Sequence, residues 1–153
     1  MATNPRNALA RELMHEGCTC IKADETLLAA ACTMRDLGVG ALPVCGSEDK
    51  LIGMITDRDL VVKCMAEHLD PSTTKASYLA DGSIVYVHDD TPASEVLATM
   101  EEHLIRRVPV IDRTTHQLIG IIAQADIATH MGVVPAGELV GAISEAPSMA
   151  HAR

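Results

Sequence analysis

Apolar and polar positions follow the same succession of periodicities twice along the chain. Apolar residues recur at helical spacing from Leu27 to Leu37 and again from Val96 to Leu104. Two short apolar runs, separated by a polar turn, follow each of these segments. They lie at residues 41–45 and 51–55 in the first half and at residues 108–111 and 118–122 in the second. Short apolar runs bounded by turn residues are typical of buried strands, so each half is predicted to form one helix and then two strands.

The two halves also match residue by residue, which indicates a tandem repeat. Pro43-Val44 falls on Pro109-Val110. After one extra residue in a polar turn, Leu51-Ile52-Gly53 falls on Leu118-Ile119-Gly120. Insertions of this kind are expected in surface turns. A single matching proline would mean little, but the shared order of these groups is strong support for a repeat.

Each copy is predicted to have the order β-α-β-β-α. A short strand at residues 18–21 or 84–87 opens the copy, and a last helix begins near Thr56 or Ala123. A short helical lead-in precedes each copy, at residues 8–14 and 75–80. The predicted domains are residues 8–66 and 75–132, followed by a tail at residues 133–153.

The predicted fold class is α+β, with an α/β-like strand–helix–strand crossover inside each unit. One unit has too little core to stand alone, and its single sheet would leave an apolar face exposed. We therefore expect two units that pack sheet to sheet as a pseudo-twofold pair, with clefts between the halves.

Charge and composition narrow the classes of partner. The chain has 12 basic and 21 acidic residues, a formal net charge of -9, and 1% aromatic residues. Nucleic-acid binding needs cations that displace phosphate counterions, and single-strand binding needs aromatic platforms, so we expect no nucleic-acid partner. No apolar run approaches the roughly 18 residues that span a bilayer. The N-terminus lacks the apolar segment of a secretory signal. We therefore expect no membrane partner and a cytoplasmic location.

The sequence contains none of the common catalytic or nucleotide-cofactor motifs. There is no G-x-S-x-G, H-E-x-x-H, P-loop or dinucleotide fingerprint, and no evident pairing of a nucleophile with a base. We expect a binding module rather than an enzyme, with no required cofactor.

The repeat resembles a pair of cystathionine β-synthase-type (CBS) domains, also called a Bateman module. The resemblance rests on Gly40-Ala41-Leu42-Pro43-Val44 with Leu51-Ile52-Gly53-Met54-Ile55-Thr56-Asp57-Arg58-Asp59, and on Arg106-Arg107-Val108-Pro109-Val110 with Leu118-Ile119-Gly120-Ile121-Ile122-Ala123-Gln124-Ala125-Asp126. It covers roughly residues 8 to 132. Within the family, the segments at 40–46 and 56–59 are most similar to the stand-alone CBS-pair, or hypoxic-response, proteins of actinobacteria.

The resemblance implies a regulatory module that binds AMP, ADP or ATP in the clefts between the repeats. Carried over to this chain, Asp59 takes the ribose hydroxyls and Thr56 reaches phosphate, while the backbone at Ala41, Leu42 and Pro43 contacts the adenine. A helix N-terminus with its free N–H groups suits a phosphate. The resemblance also implies a homodimer, and it leaves the protein partner unknown.

A plain structural interpretation of Thr56-x-x-Asp59 stands beside the functional one. A threonine followed by a carboxylate three residues later is also a capping box, which a helix needs with or without a ligand. Arg58 is a candidate phosphate contact, and its alternative is an exposed arginine paired with a neighbouring aspartate.

The second copy departs from the family pattern, because Ala123 replaces the threonine and only Asp126 remains. Ala123 and Ala125 are predicted to leave this helix without a local cap. Arg106 and Arg107 could supply charge for phosphate, although arginine pairs are commonly just solvated. We therefore expect two unequal sites, with the first the better candidate.

Cysteine and histidine positions raise a second class of function. A strand–helix–strand crossover brings the ends of the strands carrying Cys20 and Cys45 together, so this pair is a disulfide candidate, the alternative being two buried thiols. His15, Cys18 and Cys20 form H-x-x-C-x-C, a weak candidate for a metal site, because the two cysteines would share one face of a strand but a fourth ligand is missing. The alternative function is an interaction or stress protein, redox- or metal-responsive, that keeps the scaffold but binds no nucleotide.

Overall fold

The computed structural model describes residues 7–80 and 84–131. The predicted tail at 133–153, and residue 132, lie outside the described residues. The first repeat forms β2 (Ile21–Lys22), α2 (Leu27–Leu37), β3 (Ala41–Cys45), β4 (Leu51–Thr56) and α3 (Asp57–Asp59), and α3 continues into a π-helical turn at Leu60–Met65. Before it lie α1 (Ala10–Leu13) and β1 (His15–Glu16). The predicted order β-α-β-β-α is confirmed.

The second repeat has the same order of elements. A 3-10 turn at Ala76–Tyr78 precedes β5 (Val87–His88), α4 (Ala93–His103), β6 (Arg107–Ile111), β7 (Leu118–Ala123) and α5 (Gln124–Met131). The α+β class is confirmed, with a three-stranded sheet in the order β2-β3-β4 and a four-stranded sheet in the order β1-β7-β6-β5. The crossovers are parallel as expected, since β2 pairs with β3 and β5 pairs with β6 in parallel.

The described chain forms two compact units. The repeat-1 unit contains residues 17–80, 84 and 116–118, and the repeat-2 unit contains residues 7–16, 85–115 and 119–131. Each unit has its own aliphatic core. Leu27, Leu42 and Ile55 are buried in the first, and Val96, Met100 and Ile122 are buried in the second.

Each helical lead-in lies in the unit of the other repeat. Ala10 and Leu13 of α1 are buried in the repeat-2 core, whereas Ala76 and Leu79 are buried in the repeat-1 core. A residue in or next to each lead-in also accepts the first N–H of the main helix of the unit that the lead-in joins: Ala93 N–H donates to Ala8 O at 2.7 Å, and Leu27 N–H donates to Thr74 O at 2.9 Å. These bonds satisfy donors that a helix start would otherwise leave unpaired.

The glycine shared by the two Leu-Ile-Gly segments allows this exchange of lead-ins. A Cβ at Gly53 would lie 2.8 Å from Ala80 Cβ, and a Cβ at Gly120 would lie 2.8 Å from the His15 carbonyl oxygen. In the repeat-2 unit this close approach continues as antiparallel pairing of β1 with β7, with His15 opposite Ile121. The matching glycines seen in the sequence thus mark where each lead-in crosses a strand.

Two predicted strands differ from those observed. The strand predicted at 18–21 is Ile21–Lys22, and the one predicted at 84–87 is Val87–His88. The prediction that Cys18 and Cys20 share one face of a strand is therefore wrong, because both precede β2. Only the residues that pair with β3 or β6 take up strand geometry, and each of these registers covers two residues. No helix among the described residues combines the length and the apolar character needed to cross a membrane.

Candidate functional site

The start of α3 is built by a reciprocal capping box between Thr56 and Asp59. Thr56 Oγ1 accepts the Asp59 N–H at 3.1 Å. In return, Asp59 Oδ2 accepts the Thr56 N–H and the Thr56 hydroxyl, both at 2.9 Å. The capping interpretation made from the sequence is confirmed. The cap also fixes the position of the carboxylate that the resemblance assigns to ribose binding.

The second oxygen of Asp59 remains accessible. Asp59 Oδ1 lies 3.1 Å from Lys63 Nζ one turn along the helix, and the side chains of Asp59 and Lys63 are 21% and 56% exposed. An exposed pair at this spacing is worth about 0.3–0.5 kcal/mol. Another hydrogen-bond donor can therefore displace the lysine at small cost, since a carboxylate offers about four lone-pair positions.

The residues predicted to surround the adenine lie beside this helix start. In the antiparallel register of β3 and β4, Ala41 is opposite Thr56, Leu42 is opposite Ile55 and Pro43 is opposite Met54. Gly40 O accepts the Asp57 N–H at 3.0 Å, which ties the beginning of β3 to the first turn of α3. Ala41, Leu42 and Pro43 are all buried. The structure thus groups these residues with Thr56, while Arg58 is exposed and its backbone N–H donates to Asp57 Oδ1.

The corresponding position in the second repeat keeps half of this cap. Asp126 Oδ2 accepts the Ala123 N–H at 2.6 Å, so the prediction that this helix lacks a local cap is wrong. The carboxylate at the third helical position makes the return bond without help from a threonine hydroxyl. Arg106 O accepts the Gln124 N–H at 3.0 Å, as Gly40 O accepts the Asp57 N–H, and the Arg106 and Arg107 residues are exposed.

The remaining oxygen of Asp126 is paired with a residue that the sequence did not connect to this site. His15 Nε2 lies 2.7 Å from Asp126 Oδ1, and the Asp126 side chain is only 9% exposed. Sequence reasoning missed this contact because His15 is far from Asp126 in the chain and directly follows the lead-in of the other repeat. The only available signal was the match of Gly53 with Gly120, which marks the crossing points.

All five cysteines are free thiols in the structure. Cys20 immediately precedes β2, which pairs in parallel with β3, the strand that ends at Cys45, and it is close enough to influence the pKa of Cys45. Burial, together with the influence of Cys20, raises the pKa of Cys45 to about 12. Burial also raises the pKa of Cys18. Cys45 is therefore protonated at neutral pH, which slows chemistry that requires a thiolate. The Cys20–Cys45 disulfide stays a prediction.

The metal site suggested for His15, Cys18 and Cys20 stays a prediction. His15 lies in the repeat-2 unit and Cys18 and Cys20 lie in the repeat-1 unit. In residues 7–80 and 84–131, no three His, Cys, Asp or Glu side chains converge in a way that holds a metal ion. A structural zinc site commonly takes four such ligands.

Comparison with known proteins places this geometry in context. A family profile described as the CBS domain matches residues 10–65 and 78–133. Hypoxic response protein 1 of Mycobacterium tuberculosis is 52% identical over 122 residues, which cover 80% of this chain and 84% of that protein. The CBS domain-containing protein YhcV of Bacillus subtilis is 31% identical over 110 residues, 72% of this chain and 76% of that protein.

A solved structure of a similar protein carries a metal. The crystal structure of Hypoxic Response Protein I with two coordinated zinc ions matches with a TM-score of 0.75 and 50% identity, over 80% of this chain and 98% of that chain. The donor set described above does not fit a zinc ion within the described part of this chain.

Proposed function

The chain belongs to the CBS domain family, and we propose on that basis that it is a regulatory module, without catalysis of its own, that binds an adenine nucleotide at the start of α3. Asp59 receives the ribose hydroxyls, and Thr56 contributes to the phosphate end of the site. The buried backbone of Ala41, Leu42 and Pro43 borders the adenine. Arg58 is an exposed cation one residue away from Asp59 and can approach a phosphate.

The observation that carries this proposal is the state of the Asp59 carboxylate. One oxygen is held by two bonds from Thr56, which fixes its orientation before any ligand arrives. Among the described residues, the other oxygen is paired only with the exposed Lys63 ammonium. A fixed carboxylate with a replaceable partner suits a vicinal diol, because hydrogen bonds to a charged acceptor are the stronger kind.

Isothermal titration calorimetry with AMP, ADP and ATP tests the proposal directly. Hydrogen bonds to charged groups contribute about 1.5–3 kcal/mol. Asp59→Asn, which keeps the size and removes the charge, should therefore weaken binding by about 10- to 150-fold, at 1.4 kcal/mol per factor of ten. Asp36→Asn is the matched control, since it removes the same charge from an exposed position paired with Arg35. Equal affinities in the wild type and in Asp59→Asn would exclude this site.

We propose further that the module acts in the cytoplasm as a homodimer, with a protein partner still to be identified. The name of the M. tuberculosis relative supports a role in the response to low oxygen. A regulatory role requires that the nucleotide bind two states of the module with different affinity. Sedimentation or light scattering with and without AMP would test the homodimer.

A redox-responsive interaction protein is the second candidate, and it is favoured by the parallel pairing of β2 with β3, which brings Cys20 near Cys45. Hydrogen peroxide, as a two-electron oxidant, would join the two sulfur atoms and be reduced to water with the two thiol hydrogens. Intact mass spectrometry after peroxide treatment should then show a loss of two hydrogen atoms, which Cys45→Ser abolishes and Cys32→Ser does not. An unchanged mass in the wild type would remove this candidate.

A further inference from the structure

The carboxylate of Asp126 has both of its oxygens engaged inside the repeat-2 unit. Oδ2 accepts the Ala123 N–H at 2.6 Å, and Oδ1 lies 2.7 Å from His15 Nε2. Asp126 is also the one buried charged residue in the described part of the chain, with 7% of its surface exposed. Burying a carboxylate is costly unless it is paired and hydrogen-bonded, and here His15 and the Ala123 amide together do this.

The backbone of His15 is held in place rather than carried by a loose surface segment. It pairs with Ile121 in the antiparallel register of β1 and β7. Its carbonyl oxygen packs so closely over Gly120 that a Cβ there would lie 2.8 Å away. The fixed backbone places the imidazole beside Asp126, even though the side chain of His15 is itself 81% exposed.

The equivalent carboxylate in the repeat-1 unit has a different second partner. Asp59 Oδ1 faces Lys63, a long side chain from its own helix, at 3.1 Å, and the Asp59 side chain is 21% exposed. Asp126 is 9% exposed and is bound at a shorter distance by a side chain whose backbone belongs to a strand. The Asp59 carboxylate can therefore exchange Lys63 for another partner, whereas the Asp126 carboxylate is covered by His15.

We propose that His15 occupies the ribose-binding carboxylate of the second repeat and so limits this chain to one nucleotide site. This inference rests on the proposed function, because it identifies Asp126 as the counterpart of Asp59. The asymmetry has two separate causes, the covering histidine and the missing hydroxyl at Ala123. Removing His15 exposes Asp126 Oδ1, and restoring a threonine at position 123 completes the capping box.

A cycle of variants titrated with AMP separates the two causes. Calorimetric stoichiometry should be one per chain for the wild type and for Ala123→Thr, where His15 is still in place. It should be two per chain for His15→Ala and for His15→Ala/Ala123→Thr, with the second site tighter in the double variant. His103→Ala, an exposed histidine at the end of α4 in the same unit, is the matched control and should stay at one.

The deciding quantity is the number of AMP sites per chain that is gained when His15 is removed. A site that is added in His15→Ala and disappears in His15→Ala/Asp126→Asn supports the inference, whereas two sites per chain in the wild type would overturn it. The inference would be overturned if neither His15→Ala nor His15→Ala/Ala123→Thr bound more AMP per chain than the wild type while circular dichroism showed both variants to be folded. The proposed function fails in a different way, when Asp59→Asn leaves wild-type binding intact, so the two failures are distinguishable.

Discussion

A methyl group added at Gly53 should push the lead-in of the second repeat off strand β4. The Cβ of Gly53→Ala would lie 2.8 Å from Ala80 Cβ and 3.0 Å from both Ala80 Cα and Ala80 O. Carbon atoms pack best at about 3.5–4.0 Å, so the overlap with Ala80 Cβ is about 0.7 Å or more. Two of the three atoms in the way are backbone atoms, so rotating a side chain cannot relieve the clash.

The expected cost follows from what the lead-in buries. Overpacking a tight contact costs about 1–3 kcal/mol. Releasing the lead-in instead would expose Leu79, now 6% exposed, at about 1.5–3 kcal/mol. Both routes are consistent with a loss of about 1.5–3 kcal/mol in the free energy of unfolding. For a chain of this size that loss lowers Tm by about 3–12 °C.

Thermal and urea unfolding followed by circular dichroism would measure this loss, since the chain has no tryptophan. Gly40→Ala is the matched control, because its Cβ would meet only the end of the flexible Asp57 side chain, at 3.1 Å. We expect the control to stay within about 1 kcal/mol of the wild type. A Gly53→Ala variant as stable as Gly40→Ala would refute the argument that this glycine is required by the crossing lead-in.

Two further perturbations test other features. Leu104 ends α4 at φ 53° and ψ 42°, the left-handed conformation that Gly38 adopts after α2. The left-handed conformation costs a non-glycine residue about 1–2 kcal/mol. Leu104→Gly should therefore raise the urea midpoint of unfolding, and a lower midpoint would contradict this. The hydrogen bond from Arg113 lowers the pKa of Asp90. The lowered pKa stabilises the fold above the ordinary aspartate pKa of about 3.9, and this stabilisation is lost as the pH falls through the lowered value. As the pH is lowered, the free energy of unfolding should therefore fall less steeply in Arg113→Gln than in the wild type. Equal pH dependence in the two proteins would count against the pairing.

Much of each repeat could be predicted from the order of residues alone. Helix α2 begins after Thr26, whose hydroxyl accepts the Ala29 N–H at 3.1 Å, and it ends at Gly38 in the left-handed conformation. Capping and termination depend on neighbours a few residues apart, so they are visible in the sequence. The Thr56–Asp59 capping box was predictable for the same reason.

The bounds of the short strands at the start of each repeat were not predictable from the sequence, although the presence of the strands was. Residues 18–21 are as apolar as the strands that follow them, yet only Ile21–Lys22 pairs with β3. A strand exists only where a partner supplies hydrogen bonds, and that partner lies a helix away in the chain. Cys18 and Cys20 therefore lost the shared strand face on which the metal hypothesis depended.

The sequence by itself determined the repeat, the elements of each copy and the two carboxylates at matching helix starts. These features are local or repeated, so spacing and matching residues are enough to find them. Only the tertiary structure decided which unit each lead-in joins, because the apolar side chains of α1 fit an apolar core without specifying which one. That exchange brings His15 to Asp126 and leaves Asp59 with Lys63. The two carboxylates thus differ in their partners because of the exchange of lead-ins, and the two sites differ in addition because alanine stands at position 123 in place of threonine.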